Sequence, residues 1–145
     1  MAGQIFIYER RVAYADCTVG NHIYHSRYLD WLECCRGEFF RHLETSFLHW
    51  QEQDIIFPVI EANLLYRAPA RYDDLLRASL WITELRGARL TFGYDIKRED
   101  NLILEAVTRH VCTSTSDKPT RLPEALISRL QPYLTEPGDR DGTPR

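Results

Sequence analysis

The sequence predicts an α+β domain: one long α-helix laid against one face of a five-stranded antiparallel sheet. Three observations predict it. Tyr28, Leu32, Cys35, Phe39 and Leu43 step by four, three, four and four, which is one apolar face of a helix. Further on, runs of alternating hydropathy are joined by short polar turns, the pattern of an antiparallel meander. The order is one strand, the long helix, then four strands, which sets one helix against one face of an antiparallel sheet.

Taken in order, Ile5 to Ala15 alternates, with Phe6, Tyr8, Val12 and Tyr14 on one parity, and reads as the first strand. Cys17 to His25 is a polar turn in which Gly20 and Asn21 both tolerate positive φ. The helix follows to about Glu44. Trp31, Cys34 and Phe40 widen its stripe, which predicts deep burial. Glu33 and Arg36 lie three apart, within reach of an ion pair. Thr45 to Asp54 reads as a loop packed down by Phe47, Leu48 and Trp50. Ile55 to Tyr66 is the second strand, with Pro58 marking an edge or a bulge, and Ala68 to Asp73 supplies turn residues. Leu76, Ala78, Leu80 and Ile82 alternate with polar neighbours in the third strand, which turns at Arg86-Gly87. Leu90, Phe92, Tyr94 and Ile96 give the fourth strand a dry face and a wetter one. Glu99-Asp100-Asn101 leads into the fifth, Leu102 to Thr113. Thr115 to Thr120 is a polar loop. Leu122 to Leu134 is a short helix, with Pro123 in its first turn and Pro132 ending it. Residues 1–134 are thus one domain, and 135–145, TEPGDRDGTPR, is a flexible tail with nothing to bury.

One hundred and forty-five residues suffice for a single core. A net charge of −3 gives no electrostatic case for nucleic acid or for an anionic membrane surface. No apolar run approaches the roughly 20 residues of a membrane span, and MAGQIFIYERR lacks a signal peptide's apolar core. Cys17, Cys34, Cys35 and Cys112 form no C-x-x-C pair, and Cys34 and Cys35 point about 100° apart on a helix. A reduced, cytoplasmic setting follows. Cys17, His22 and His25 match no closed zinc spacing, so no metal is expected.

The residues Tyr14, Asp16, Cys17, Gly20, Tyr24, His25, Tyr28, Glu33 and Arg36, with Pro69 to Asp74 (PARYDD), carry a resemblance. A strand ending in an aromatic-x-Asp pattern, a glycine turn, Tyr-His-x-x-Tyr and a helix with Glu and Arg resemble the active-site segment of the hot-dog thioesterases, in their 4-hydroxybenzoyl-CoA thioesterase-like branch. The resemblance covers about residues 4 to 134. It implies the hot-dog fold, a long central α-helix wrapped by the five-stranded antiparallel sheet. It also implies hydrolysis of an acyl-CoA or acyl-carrier-protein thioester, with CoA or phosphopantetheine entering as part of the substrate and no separate cofactor. A homodimer assembling further into a homotetramer, with active sites at the seam, is implied as well. The family's usual catalytic carboxylate is replaced here by Thr18. Relatives lacking it, including thioesterases of enediyne polyketide pathways, are similar in their Gly-Asn turn and in a Tyr and an Arg that match Tyr28 and Arg36. The implied catalytic set is Thr18, Asn21, His25, Tyr28, Glu33 and Arg36, with the backbone N–H of His25 polarising the carbonyl. Asp16 and Tyr24 join it as substrate-binding residues. No glycine-rich phosphate loop exists, which leaves Arg89, Lys118 and Arg121 as scattered basic groups for CoA.

Each candidate has a plain structural role beside the chemical one. Thr18 and Asn21 suit a tight turn, Ser26 suits a helix cap, and Glu33 with Arg36 forms an ordinary ion pair. Thiolates leave readily, so a missing carboxylate is less damaging for thioesters than for amides. Two rival functions remain at this stage. One is a non-catalytic acyl-thioester-binding protein, motivated by Thr18. The other is a hot-dog hydratase or dehydratase, which wants a His with a carboxylate across the seam.

Overall fold

A computed structural model describes residues 3–135. Its five strands form one antiparallel sheet in the order β1-β3-β4-β5-β2, with β1 Phe6–Arg11, β2 Val59–Tyr66, β3 Leu75–Arg86, β4 Arg89–Arg98 and β5 Asn101–Val111. The meander β3-β4-β5 turns at Gly87 and Glu99, both at positive φ, and β1 and β2 close its two flanks. Helices α1 (Arg27–His42), α2 (Phe47–Gln51) and α3 (Glu124–Leu130) complete the described chain.

Helix α1 has 16 residues, about 24 Å of axis. The predicted stripe is the buried one: Tyr28, Leu32, Cys35 and Phe39, widened by Trp31 and Phe40, pack on the inward residues Leu76 to Ile82 of β3 and Leu90 to Ile96 of β4. The Phe39 ring stands edge-on to Phe92 at 6.3 Å and to Tyr133 at 4.8 Å. Such offset aromatic contacts add to the area term that dominates core stability. Burial pushes the Cys35 thiol up to about 12, so it is an inert core group. Cys34, expected on the same stripe, is exposed. It receives Arg10 Nη1 at 3.6 Å while that guanidinium sits over the Trp31 ring.

Other expectations are corrected. The first strand ends at Arg11, not Ala15, because Asp16 Oδ2 accepts the Ala13 N–H at 2.9 Å and closes a 3-10 turn over Tyr14–Asp16. The segment read as a loop from Thr45 holds α2, whose start is capped by Ser46 Oγ accepting from His49 N–H. β2 begins after Pro58, with only an isolated bridge from Ile56 to Thr113 before it. The wetter face of β4 is also covered: Trp81 lies across Gly93, and Thr91 and Asp95 are buried beside it. Thr135, the first residue of the expected tail, is held in place, its N–H donating to the Ile82 carbonyl at 2.8 Å. Residues 136–145 lie outside the described residues.

The two outer strands differ. β1 half-buries Phe6, Tyr8 and Arg10 and exposes Ile7, Glu9 and Arg11, whereas β2 exposes Val59, Ile60 and Tyr66. No described helix is long and apolar enough to cross a membrane.

Candidate active site

The polar turn is a small hairpin. Thr18 N–H donates to the His22 carbonyl and Asn21 N–H to Thr18, while Gly20 and Asn21 take φ of 91° and 63°. Ile23 N–H then bonds Ala70, and the chain enters α1 through Tyr24 to Ser26. The Tyr24 carbonyl accepts Arg27 N–H at 2.9 Å. Amide and carbonyl of one trans peptide point in opposite directions, so the His25 N–H faces away from the helix. Among the described residues it donates to no acceptor. The His25 carbonyl is held by the Tyr66 hydroxyl at 3.2 Å, which locks this helix start to the end of β2.

A cleft of about 400 Å³ opens there, lined by His22, Ile23, His25, Tyr28, Tyr66 and the segment from Arg67 to Pro69. Tyr28 and Tyr66 meet edge-on at 5.6 Å. Burial pushes the Tyr28 hydroxyl up to about 12, so it keeps its proton and can donate. Arg71 Nη2 approaches His22 Nε2 at 3.5 Å, and since arginine only donates, that nitrogen is the acceptor. An unpaired helix-start amide beside a protonated phenol is a ready site for a developing oxyanion.

Of the residues singled out in the sequence, His25 and Tyr28 share this cleft. Thr18 and Asn21 sit in the adjoining exposed turn. The Asn21 Oδ1 is engaged by Tyr72 N–H at 3.2 Å, which leaves its amide NH₂ free, and the Thr18 hydroxyl bonds no described residue. Asp16 is buried and turned inward to Ala13 N–H and Arg10. Tyr24 is half exposed, its ring 4.4 Å from that of His25.

Glu33 and Arg36 lie elsewhere. Arg36 is two turns beyond Tyr28, about 12 Å along α1. The expected pair does not form: among the described residues Arg36 makes no ion pair, and its Nη1 donates to Tyr94 Oη at 3.0 Å. Both residues line a second pocket of about 300 Å³ with Phe47, Gln51 and the segment from Ile55 to Val59. Arg89, Lys118 and Arg121 are farther still. Arg89 opens β4 opposite Val111, whereas Arg98 at its other end reaches the Pro69 carbonyl in the cleft wall. Ten strand residues, about 30 Å, separate those ends.

Sequence reasoning missed Tyr66 and Arg67, whose signal was an aromatic and a cation closing a strand just before Pro69. It also missed the buried polar chain behind Arg36. Tyr94 Oη and Thr108 Oγ1 are 2.6 Å apart, Thr108 Oγ1 and His110 Nε2 2.9 Å, and His110 Nδ1 and the Phe57 carbonyl 3.0 Å. The ends fix its direction. Arginine donates at one end and a carbonyl accepts at the other, so each hydroxyl passes its proton toward Phe57.

A helix buried on a five-stranded antiparallel sheet, with a cleft at its open amide end, defines a hot-dog protein of the thioesterase type. Comparison agrees. The Thioesterase superfamily model matches residues 20–105. The acyl-CoA thioester hydrolase YbgC of Escherichia coli is 33% identical over 129 residues, covering 88% of this chain and 96% of its own. The crystal structure of a 1,4-dihydroxy-2-naphthoyl-CoA thioesterase from Synechocystis superposes with a TM-score of 0.82 at 25% identity, over 88% of this chain and 96% of that one. The Dynemicin thioesterase structure reaches a TM-score of 0.85 at 16% identity, over 92% and 99%, a likeness of fold alone. This chain belongs to the Thioesterase superfamily.

Proposed function

We propose that this chain is an acyl-CoA thioesterase, hydrolysing the thioester to free acid and thiol, with acyl-carrier-protein thioesters as alternative substrates. The observation that carries the reading is the unpaired His25 N–H at the mouth of the Tyr28–Tyr66 cleft. α1 is then the central helix of the fold. The thioester carbonyl takes the His25 N–H, aided by the helix dipole, and the Tyr28 hydroxyl donates beside it. The Thr18 hydroxyl and the Asn21 amide hold the attacking water in the adjacent turn. The thiolate leaves without a strong acid. Glu33 and Arg36 serve substrate binding rather than bond cleavage, since they open onto the second pocket. The CoA phosphates meet Arg67 and Arg71 near the cleft in preference to Arg89, Lys118 and Arg121.

The working unit is a homodimer joined along β2, and dimers pair into a homotetramer in the cytoplasm. Support comes from the exposed apolar residues of that edge. Neither nucleic acid nor membrane is a partner in this reading, which the net charge of −3 supports.

The test is free-thiol release from a panel of acyl-CoAs at neutral pH. Turnover on at least one of them is expected. Saturable binding with no thiol released from any would make the protein an acyl-thioester binder instead.

A further inference from the structure

We infer that the second pocket is a specificity site for an acyl group bearing a neutral oxygen, a hydroxyl or a ketone, at its far end. This rests on the thioesterase reading for the identity of the ligand, and on the pocket's own geometry for its chemistry.

Arg36 is a cation with only 8% of its surface exposed. A buried guanidinium ordinarily has a carboxylate partner or several acceptors. Arg36 has one described hydrogen bond, Nη1 to Tyr94, which leaves Nε and Nη2 without a described acceptor in a side chain that lines the pocket. The Tyr94 hydroxyl has no proton left for a ligand, because it accepts from Arg36 and donates to Thr108, and it does not line the pocket. The chain through Thr108 and His110 ends on the Phe57 carbonyl, and Phe57 is itself a wall of the pocket. One relay therefore fixes both the cation and the wall facing it. What the pocket offers is fixed donors, so its ligand supplies an acceptor. The remaining walls, Phe47, Ile55, Ile56, Pro58 and Val59, favour a hydrocarbon body. Glu33 at the same pocket sets a negative charge against the cation. It disfavours a second carboxylate on the ligand and can accept the proton of a hydroxyl.

Tyr28 at one opening and Arg36 at the other are about 12 Å apart along α1, a length that a medium acyl chain laid along the helix matches. An acyl chain of medium length with its thioester at His25 brings its far end to Arg36.

The experiment compares ω-hydroxydecanoyl-CoA, decanoyl-CoA and the ω-carboxy analogue on the unaltered protein and on Arg36→Met. A hydrogen bond to a buried charge is worth about tenfold or more. The expected order in kcat/KM is hydroxyl first, by at least about tenfold over decanoyl, with the ω-carboxy substrate below the hydroxyl one. In Arg36→Met the hydroxyl-to-decanoyl ratio falls to near one. Equal kcat/KM for hydroxyl and plain substrates in the unaltered protein overturns the inference while leaving the thioesterase reading intact. So does an Arg36→Met variant that loses both activities in proportion. Should no substrate turn over, that reading fails on its own. Calorimetric binding of the thioether analogues of the same three compounds then decides the pocket: a hydroxyl preference supports it and equal affinities overturn it. If Arg36→Met does not fold, the three-substrate comparison on the unaltered protein stands alone.

Discussion

His110 shows what burial does to a single side chain. Desolvation, with the Arg36 cation adding to it, holds its imidazole down to about 4, against 6.5 for an ordinary histidine. It is neutral at pH 7, as its place between the Thr108 hydroxyl and the Phe57 carbonyl requires. The unfolded imidazole gains a proton as pH falls through 6.5, and the folded one resists until about 4. Its contribution is therefore whole above pH 6.5 and is lost progressively down to about pH 4, in all about 3 kcal/mol. Denaturant unfolding of His110→Asn at pH 7 and pH 5 should show a flatter loss of stability than the unaltered protein; parallel acid limbs would mean the imidazole is not the titrating group. None of this was legible locally, because Arg36, Tyr94, Thr108 and His110 meet only once three elements are folded. The Thr18 departure was legible. Its side chain is exposed beside the cleft and bonds no described residue, so the plain role of a turn threonine bonding backbone is not seen. Thr18→Asp should raise thiol release toward the roughly 10² to 10⁴ typical of general acid–base help. A rate unchanged on every substrate, with Thr18→Val equally silent, would place Thr18 outside the chemistry.

At the scale of elements, what repeats was readable and what is short or paired at a distance was not. The stripe of α1 and the alternation of β3 to β5 extend over enough residues for period to decide. α2 is five residues, too few for a 3.6 period to separate from a loop. β4 misled for another reason: its outward residues are polar or glycine, yet Trp81 on β3 folds across them. A Cβ built on Gly93 meets Trp81 Nε1 at 2.5 Å, with two further ring atoms within 2.8 Å. The glycine is thus required by the indole and not by its own backbone. Gly93→Ala should cost about 1–3 kcal/mol, the usual range for overpacking, and thermal melting reads it. Adding Trp81→Leu should restore part of the loss. If Gly93→Ala melts with the unaltered protein, the indole has room to move and does not hold that face. Arg89 shows the opposite case: its charge is visible in the sequence, whereas the length of β4, about 30 Å between Arg89 and the end where Arg98 meets the cleft wall, emerges only in the folded sheet.

For the whole molecule, the two sheet edges bear on how copies would meet in the proposed dimer. An open edge presents unpaired N–H and C=O groups and invites another strand. β1 exposes Ile7 but is flanked there by Glu9, Arg10 and Arg11, with Arg77 of β3 beside Glu9. β2 carries Val59, Ile60 and Tyr66 at 47%, 57% and 51% exposure, and only its flank toward β5 is paired. In the proposed dimer two such edges related by a two-fold would pair antiparallel and self-complementary, and stable interfaces bury on the order of 1,600 Å². The cleft lies at one end of β2 and the Arg36 pocket at the other, so the proposed contact would border both. Ile60→Lys places a charge near the Val59 end of that edge. Sedimentation should shift it to monomer, and thiol release should fall with it, since Tyr66 holds the His25 carbonyl only from the end of an ordered β2. Ile7→Lys on the β1 edge is the control, and it should remain dimeric and active. A dimeric, active Ile60→Lys protein would move the interface off β2. An unaltered protein that sediments as an active monomer would remove the dimer altogether and leave the cleft complete within one chain.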